Sequence, residues 1–169
     1  PRSATWVSRI DSYFIDSKGD EETKDFQQTQ ALVAIQKGGI TGLGPGKSTQ
    51  RSILPFSSSD FIYAIIIEEY GLIGGSIVLL LYLILMFRAI RISINTESMF
   101  GSLLVIGLMF SLVFQALINM LVSVGIMPVT GQTLPFISMG GTSIVFSCIT
   151  IGIILSVSRD GTDRNYEKT

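Results

Sequence analysis

Histidine is absent from this chain, cysteine and tryptophan occur once each, and charge is nearly missing from its middle. Without histidine, neither a Ser-His-Asp nor a Cys-His catalytic arrangement, nor a histidine-ligated zinc site, can be assembled within these residues. The single cysteine, Cys148, sits in an apolar run, so no internal disulfide forms and its thiol is read as packing. A net charge of -1 provides no basic patch to displace phosphate counterions, which argues against a nucleic-acid partner. Between Phe61 and Ser158 the only charged residues are Glu68, Glu69, Arg88, Arg91 and Glu97.

What is present is apolar. Hydrophobic residues make up 47% of the chain and its mean hydropathy is +0.53, too high for an ordinary soluble domain of this size. With the remaining charges in the flanks, the distribution is that of a membrane domain with polar ends. The chain opens at Pro1 with neither an initiator methionine nor a signal-peptide pattern, so it is expected to be the C-terminal part of a longer protein.

Residues 1–59 read as an extramembrane loop. Within it, Phe26, Leu32, Val33 and Ile35 mark an imperfect helical stripe that Gly38 and Gly39 terminate, predicting a surface helix near 23–37. Gly38 to Thr49 then imitates a phosphate-binding loop. A Walker motif requires glycine five residues before Gly46-Lys47-Ser48, where this chain has Thr41, so no nucleotide is expected. Two readings remain for the loop: its N–H groups with Lys47 and Arg51 hold a pyrophosphate, or it is a flexible turn with solvated cations.

Ser57-Ser58-Ser59-Asp60 carries serine three residues before an acid, so Asp60 either completes a capping box or faces a substrate. Three membrane spans are predicted near 61–87, 102–122 and 142–158. The first carries Glu68 and Glu69, acids that are costly in hydrocarbon and are therefore expected inside protein or facing water. Gly71 and Gly75 form a GxxxG pair suited to close helix contact. The second span holds Gln115 and Asn119, four residues apart, either as interhelical glue or as substrate contacts. Pro128, Gly131, Pro135, Gly140 and Gly141 break the next segment, which at membrane depth must pack in protein or line a wet cavity. Arg88, Arg91 and Arg159 place one end of the bundle and the tail 159–169 in the cytoplasm, so Asp60, the glycine loop and the late broken loop share the opposite face.

Several ordered motifs then coincide. Gly42-Leu43-Gly44, Gly46-Lys47-Ser48, Gln50-Arg51, Leu54-Pro55, Asp60-Phe61-Ile62-Tyr63-Ala64, Glu68-Glu69, Gly71-Leu72-Ile73-Gly74, Gln115 to Met120 and Met127 to Ser143 together resemble the SEDS family of cell-wall polymerases (shape, elongation, division and sporulation), and its division branch more than its elongation branch. The resemblance implies an all-α membrane fold of ten helices, of which this chain would hold the last three after a large extracytoplasmic loop. It implies polymerisation of lipid II, the undecaprenyl-pyrophosphate-linked disaccharide peptide, at the division septum of the bacterial cytoplasmic membrane. A class B penicillin-binding transpeptidase and other divisome proteins would be partners. The family's catalytic aspartate falls on Asp60, a possible ligand of Mg2+ or Mn2+. Lys47, Ser48, Gln50, Arg51, Ser138, Gly140 and Gly141 would bind substrate, with Glu68, Glu69, Gln115 and Asn119 as a supporting polar network. Where many relatives carry histidine and threonine before the aspartate, this chain has Ser58 and Ser59; Phe56, Thr130 and Met139 replace a usual glutamate, lysine and tyrosine. A flippase for the lipid-linked precursor and a noncatalytic scaffold are the alternative functions.

Overall fold

The computed structural model describes residues 21–48 and 61–167, with side-chain environments for 27–48 and 61–159. The described residues form four helices: α1 (Glu21–Gly38), α2 (Ile62–Asn95), α3 (Met99–Ser123) and α4 (Gly141–Glu167). No strand occurs among them, in agreement with the expected all-α class. Three segments are long and apolar enough to cross a membrane, Ile62–Asn95, Met99–Ser123 and Gly141–Arg159.

Helix α1 extends one to two residues beyond the expected 23–37 at each end. It docks through small side chains. Ala31 and Ala34 are fully buried and join Phe61, Ala64 and Val122 in one apolar cluster, which brings α1 against the start of α2 and the end of α3. The expected capping box is not among the described residues at the start of α2. The N-cap of α2 is Phe61, whose ring offers no capping acceptor, while Ser57 to Asp60 lie outside the described residues.

Helix α2 is two helical segments joined at a break. Gly71 has φ 71° and ψ -173°, a backbone region open to glycine and closed to residues with a β-carbon. The segments meet at a sharp angle: Tyr63 Oη donates to the Gly75 carbonyl at 3.3 Å. In a straight helix those residues would stand about 18 Å apart along the axis, beyond the reach of a tyrosine. The GxxxG pair therefore does not make a helix–helix seam. Gly75 faces Tyr63 and Ile67 of its own helix, while Gly71 faces the glycine loop. Past the break, the helix runs on beyond Arg88 and Arg91 to Asn95, so the two arginines lie within a helix expected to cross near 61–87. The guanidinium of Arg91 lies 5.0 Å from the centre of the Phe87 ring.

The three-residue connection 96–98 folds α3 back along α2. Ser98 caps α3 by accepting the Gly101 N–H at 3.3 Å. Val105, Met109, Leu112, Val113, Ala116 and Met120 of α3 meet Ile67, Tyr82 and Ala89 of α2 in the main core. Helix α4 joins through Ile154, and its Val157 comes within 3.0 Å of where a β-carbon on Gly101 would stand. That contact puts the end of α4 beside the 96–98 connection. At the other end, Gly125 faces Leu32 of α1 at 3.3 Å, so α1, the glycine loop, Phe61 and the segment 124–140 gather together. Outward positions such as Leu80, Leu83, Phe110, Phe114 and Leu155 are more than half exposed, as in a bundle whose surroundings are apolar.

Gly71→Ala is expected to lower the stability of the full-length protein by about 3 kcal/mol. The reason is local: a β-carbon there would fall 2.2 Å from the Ile40 carbonyl oxygen. Gly107→Ala, where a β-carbon meets nothing, is the control; thermal unfolding in detergent should separate the two variants.

Candidate active face at the broken-loop end

Two irregular segments meet the helices at this end, and the helix break organises the first. An interruption in α2 leaves carbonyls before it and amides after it without helical partners. The glycine loop supplies both. Leu43 N–H donates to the Glu68 carbonyl at 3.0 Å and Gly44 N–H to the Glu69 carbonyl at 3.0 Å. In return, Leu72 N–H donates to the Gly39 carbonyl at 2.9 Å and Ile73 N–H to the Ile40 carbonyl at 3.4 Å. Backbones can come this close only where side chains are missing. A β-carbon on Gly38 would lie 2.1 Å from the Ile67 carbonyl oxygen, and one on Gly42, at φ 79°, 2.3 Å from that of Glu69.

This arrangement leaves the loop with fewer free amides than its glycine content suggests. The N–H groups of Gly42, Leu43, Gly44 and Lys47 are all donated within the protein, so these amides are not open to a phosphate. Lys47 is exposed, as are Ile40 and Leu43 of the same loop, and its Cδ passes 3.6 Å from the β-carbon position of Gly44. The loop is a braced support for one cation.

Glu68 is fully buried, and its carboxylate accepts the hydroxyl of Ser48. Glu69 is part-buried, and its Oε1 has no hydrogen-bond partner among the described residues. The two glutamates therefore both border the glycine loop. Asp60, Gln50 and Arg51 lie outside the described residues; Phe61, which follows Asp60 in sequence, is buried between α1 and α3.

Gln115 and Asn119 belong to a second group, one helix away. Asn119 Nδ2 donates to the Gln132 carbonyl at 2.6 Å and Gln115 Nε2 to the Thr133 carbonyl at 3.1 Å. Tyr82 Oη of α2 donates to the Pro135 carbonyl. Three side chains on two helices thus hold three carbonyls of the late loop, which satisfies backbone that would otherwise be costly in an apolar setting. As a supporting polar network, the two amides fasten a loop. Ser138 lies inside that loop, 1% exposed, and accepts the Leu134 N–H at 2.7 Å. Gly140 precedes α4 and is pressed against Thr133, and Gly141 begins the helix. Phe136 holds φ 65°, a strained value for a residue with a β-carbon, at the centre of the held turn. Tyr82 escaped the sequence reading, although it is the only polar-tipped side chain in the run Ile77 to Phe87.

Beside the late loop, a cavity of about 360 Å³ opens between α3 and α4, lined by Ser111, Gln115, Thr133, Ser143, Ser147 and Thr150 among others. Every lining group is uncharged. The cavity can accept hydroxyls and amides and offers no cation. No three His, Cys, Asp or Glu side chains converge among the described residues, so those residues do not by themselves form a metal site.

Tyr82→Phe is expected to orphan the Pro135 carbonyl and destabilise the full-length protein by about 1 to 3 kcal/mol. Asn119→Leu should act similarly at Gln132. Faster amide exchange confined to residues 124–140 would mark the loop as the part released.

Comparison with known proteins agrees with the motifs. The FtsW/RodA/SpoVE family, described as cell cycle proteins, matches residues 3–163. Stage V sporulation protein E of Bacillus subtilis is 41% identical over 154 residues, 90% of this chain and 42% of the relative. The protein of Legionella pneumophila named "Probable peptidoglycan glycosyltransferase FtsW" is 40% identical over 158 residues, 91% of this chain and 40% of the relative. A solved chain from "Structural coordination of polymerization and crosslinking by a peptidoglycan synthase complex" aligns with TM-score 0.65 and 30% identity, over 79% of this chain and 37% of that one. An aspartate-to-alanine variant of the Thermus thermophilus rod shape determining protein RodA aligns with TM-score 0.63 and 30% identity, over 76% of this chain and 40% of that one. The chain thus spans about two fifths of the length of the curated relatives it matches. With a family match that runs almost end to end and helices that superpose on those of solved members, this chain belongs to the FtsW/RodA/SpoVE family of membrane proteins.

Proposed function

We propose that the full-length protein is a peptidoglycan glycosyltransferase that polymerises lipid II into glycan strands, and that this chain carries its catalytic face. The observation that carries the reading is the gathering of the Lys47 loop, the head of α2 just after Asp60, and the fastened late loop at one end of the bundle. Relatives named peptidoglycan glycosyltransferase FtsW support it.

The chemistry asks for little beyond these groups. Asp60 acts as general base: its carboxylate takes the proton of the acceptor sugar hydroxyl as that oxygen bonds to the anomeric carbon of the donor. The bond from that carbon to the pyrophosphate breaks, and the electron pair leaves with the lipid pyrophosphate. A pyrophosphate needs charge neutralisation rather than protonation, so the second carboxylic acid of glycosidases is dispensable. Lys47 and Arg51 supply positive charge where negative charge develops. A divalent cation, Mg2+ or Mn2+, held in part by Asp60 would supply further positive charge there. The uncharged cavity beside Gln115 and Thr133 suits sugar or peptide groups better than phosphate.

Within the ten-helix fold implied by the family motifs, the protein works in the bacterial cytoplasmic membrane at the division septum. Its partners are a class B penicillin-binding transpeptidase and other divisome proteins, a reading supported by the match to a solved complex described as coordinating polymerization and crosslinking.

Asp60→Ala and Asp60→Asn in the full-length protein, purified with its transpeptidase and assayed with lipid II and Mg2+ or Mn2+, should lower glycan formation at least 100-fold, at the scale of a lost general base, with expression unchanged. Retained polymerisation by these variants removes Asp60 from the role. Absence of product from the wild type under the same conditions favours lipid transport or scaffolding instead.

A further inference from the structure

The loop that carries Lys47 is tied to a short piece of α2, residues 61–68, that is itself held at both ends. At one end, Phe61 is the N-cap of α2 and is buried among Ala31, Ala34 and Val122. At the other, Ser48 donates its hydroxyl to Glu68. Glu68 stands seven residues after Phe61, about 10 Å further along the helix. The carboxylate is not left to find this position alone. Its residue's carbonyl accepts Leu43 N–H at 3.0 Å, and the next carbonyl accepts Gly44 N–H at 3.0 Å, so the backbone delivers the loop to the side chain. Lys47, adjacent to Ser48, is therefore held on a frame of five hydrogen bonds that all end on residues 68 to 73.

A buried carboxylate accepting a hydroxyl is stronger than a neutral contact and expensive to leave unmet. It also restricts the Lys47 loop, since a loop held by both backbone and side chain loses freedom before substrate arrives. We infer that Glu68 is a positioning residue: through Ser48 it fixes the Lys47 cation against α2, so that this charge meets the pyrophosphate-linked donor preassembled. Ser48 serves as the tie rather than as a substrate ligand. The inference rests on the proposed polymerase reading for its catalytic consequence, but not for the tie itself.

Two readouts on the full-length protein separate these. In the first, a nitroxide is attached at Lys47→Cys on a background with native cysteines replaced, and its mobility is read by electron paramagnetic resonance. The label is expected to be immobilised, and Ser48→Ala or Glu68→Ala should each free it, with Ser48→Thr restoring the immobilised spectrum. In the second, lipid II polymerisation is measured with Lys47 intact. Ser48→Ala and Glu68→Ala should each lower kcat/KM about tenfold, the double variant no further, and Ser48→Thr should recover most of the loss.

A spectrum that neither substitution changes overturns the tie, whatever the assay reads. A freed label with unchanged kcat/KM overturns the positioning role. Additive losses in the double variant show that Glu68 and Ser48 act separately, and this also overturns it. A wild type that forms no glycan defeats the polymerase reading and with it the catalytic half of the inference, while the label still decides the tie.

Discussion

A helix that breaks inside an apolar bundle must find partners for the backbone groups the break sets free, and in this protein that requirement shapes everything at one end. Glycine at position 71 turns α2 sharply, releasing the carbonyls of Glu68 and Glu69 and the amides of Leu72 and Ile73. The glycine loop answers with two donors and two acceptors in matching order. Each such group left unmet in an apolar medium would cost several kcal/mol, so the loop and the break are conditions for one another. Lys47, Ser48 and the buried Glu68 take their positions from that exchange.

The late loop solves the same problem by other means. Here side chains do the work: Asn119, Gln115 and Tyr82 hold the carbonyls of Gln132, Thr133 and Pro135 from α3 and α2, and Ser138 takes an amide inside the turn. The result is a fixed turn that holds Phe136 in a left-handed conformation. One end of the bundle thus carries two irregular segments, both restrained, and one of them is laced to the helix whose first residues follow Asp60.

The legible part of this structure was whatever hydrophobic periodicity and turn chemistry control. The apolar runs announced three spans, the glycines announced loops, and the ordered motifs from Gly42 to Glu69 announced the family. The arginine pattern led to a shared face for the two loops, and the described parts of both do lie together through α1. What remained hidden depends on long-range backbone pairing. Gly71 looked like half of a GxxxG seam because local sequence does not distinguish a glycine chosen for helix contact from one chosen for positive φ. Likewise, the amides of Leu43 and Gly44 looked available because their acceptors lie more than twenty residues away, on carbonyls that only the break exposes. Tyr82 was invisible for a similar reason: its partner is a backbone atom, which no residue code reveals.

Surface loops ordinarily absorb insertions and deletions at little expense, and the connection between α1 and α2 would be the natural place to look for such tolerance. The pairing of residues 39–44 with residues 68–73 removes it. One residue added between Gly39 and Leu43 would shift two donors against two acceptors out of register and push a side chain into space that only Gly42 can occupy. Length variation among proteins built this way should therefore fall before Gly38 or after Ser48, leaving the stretch between them with an invariant count of residues even where its side chains change.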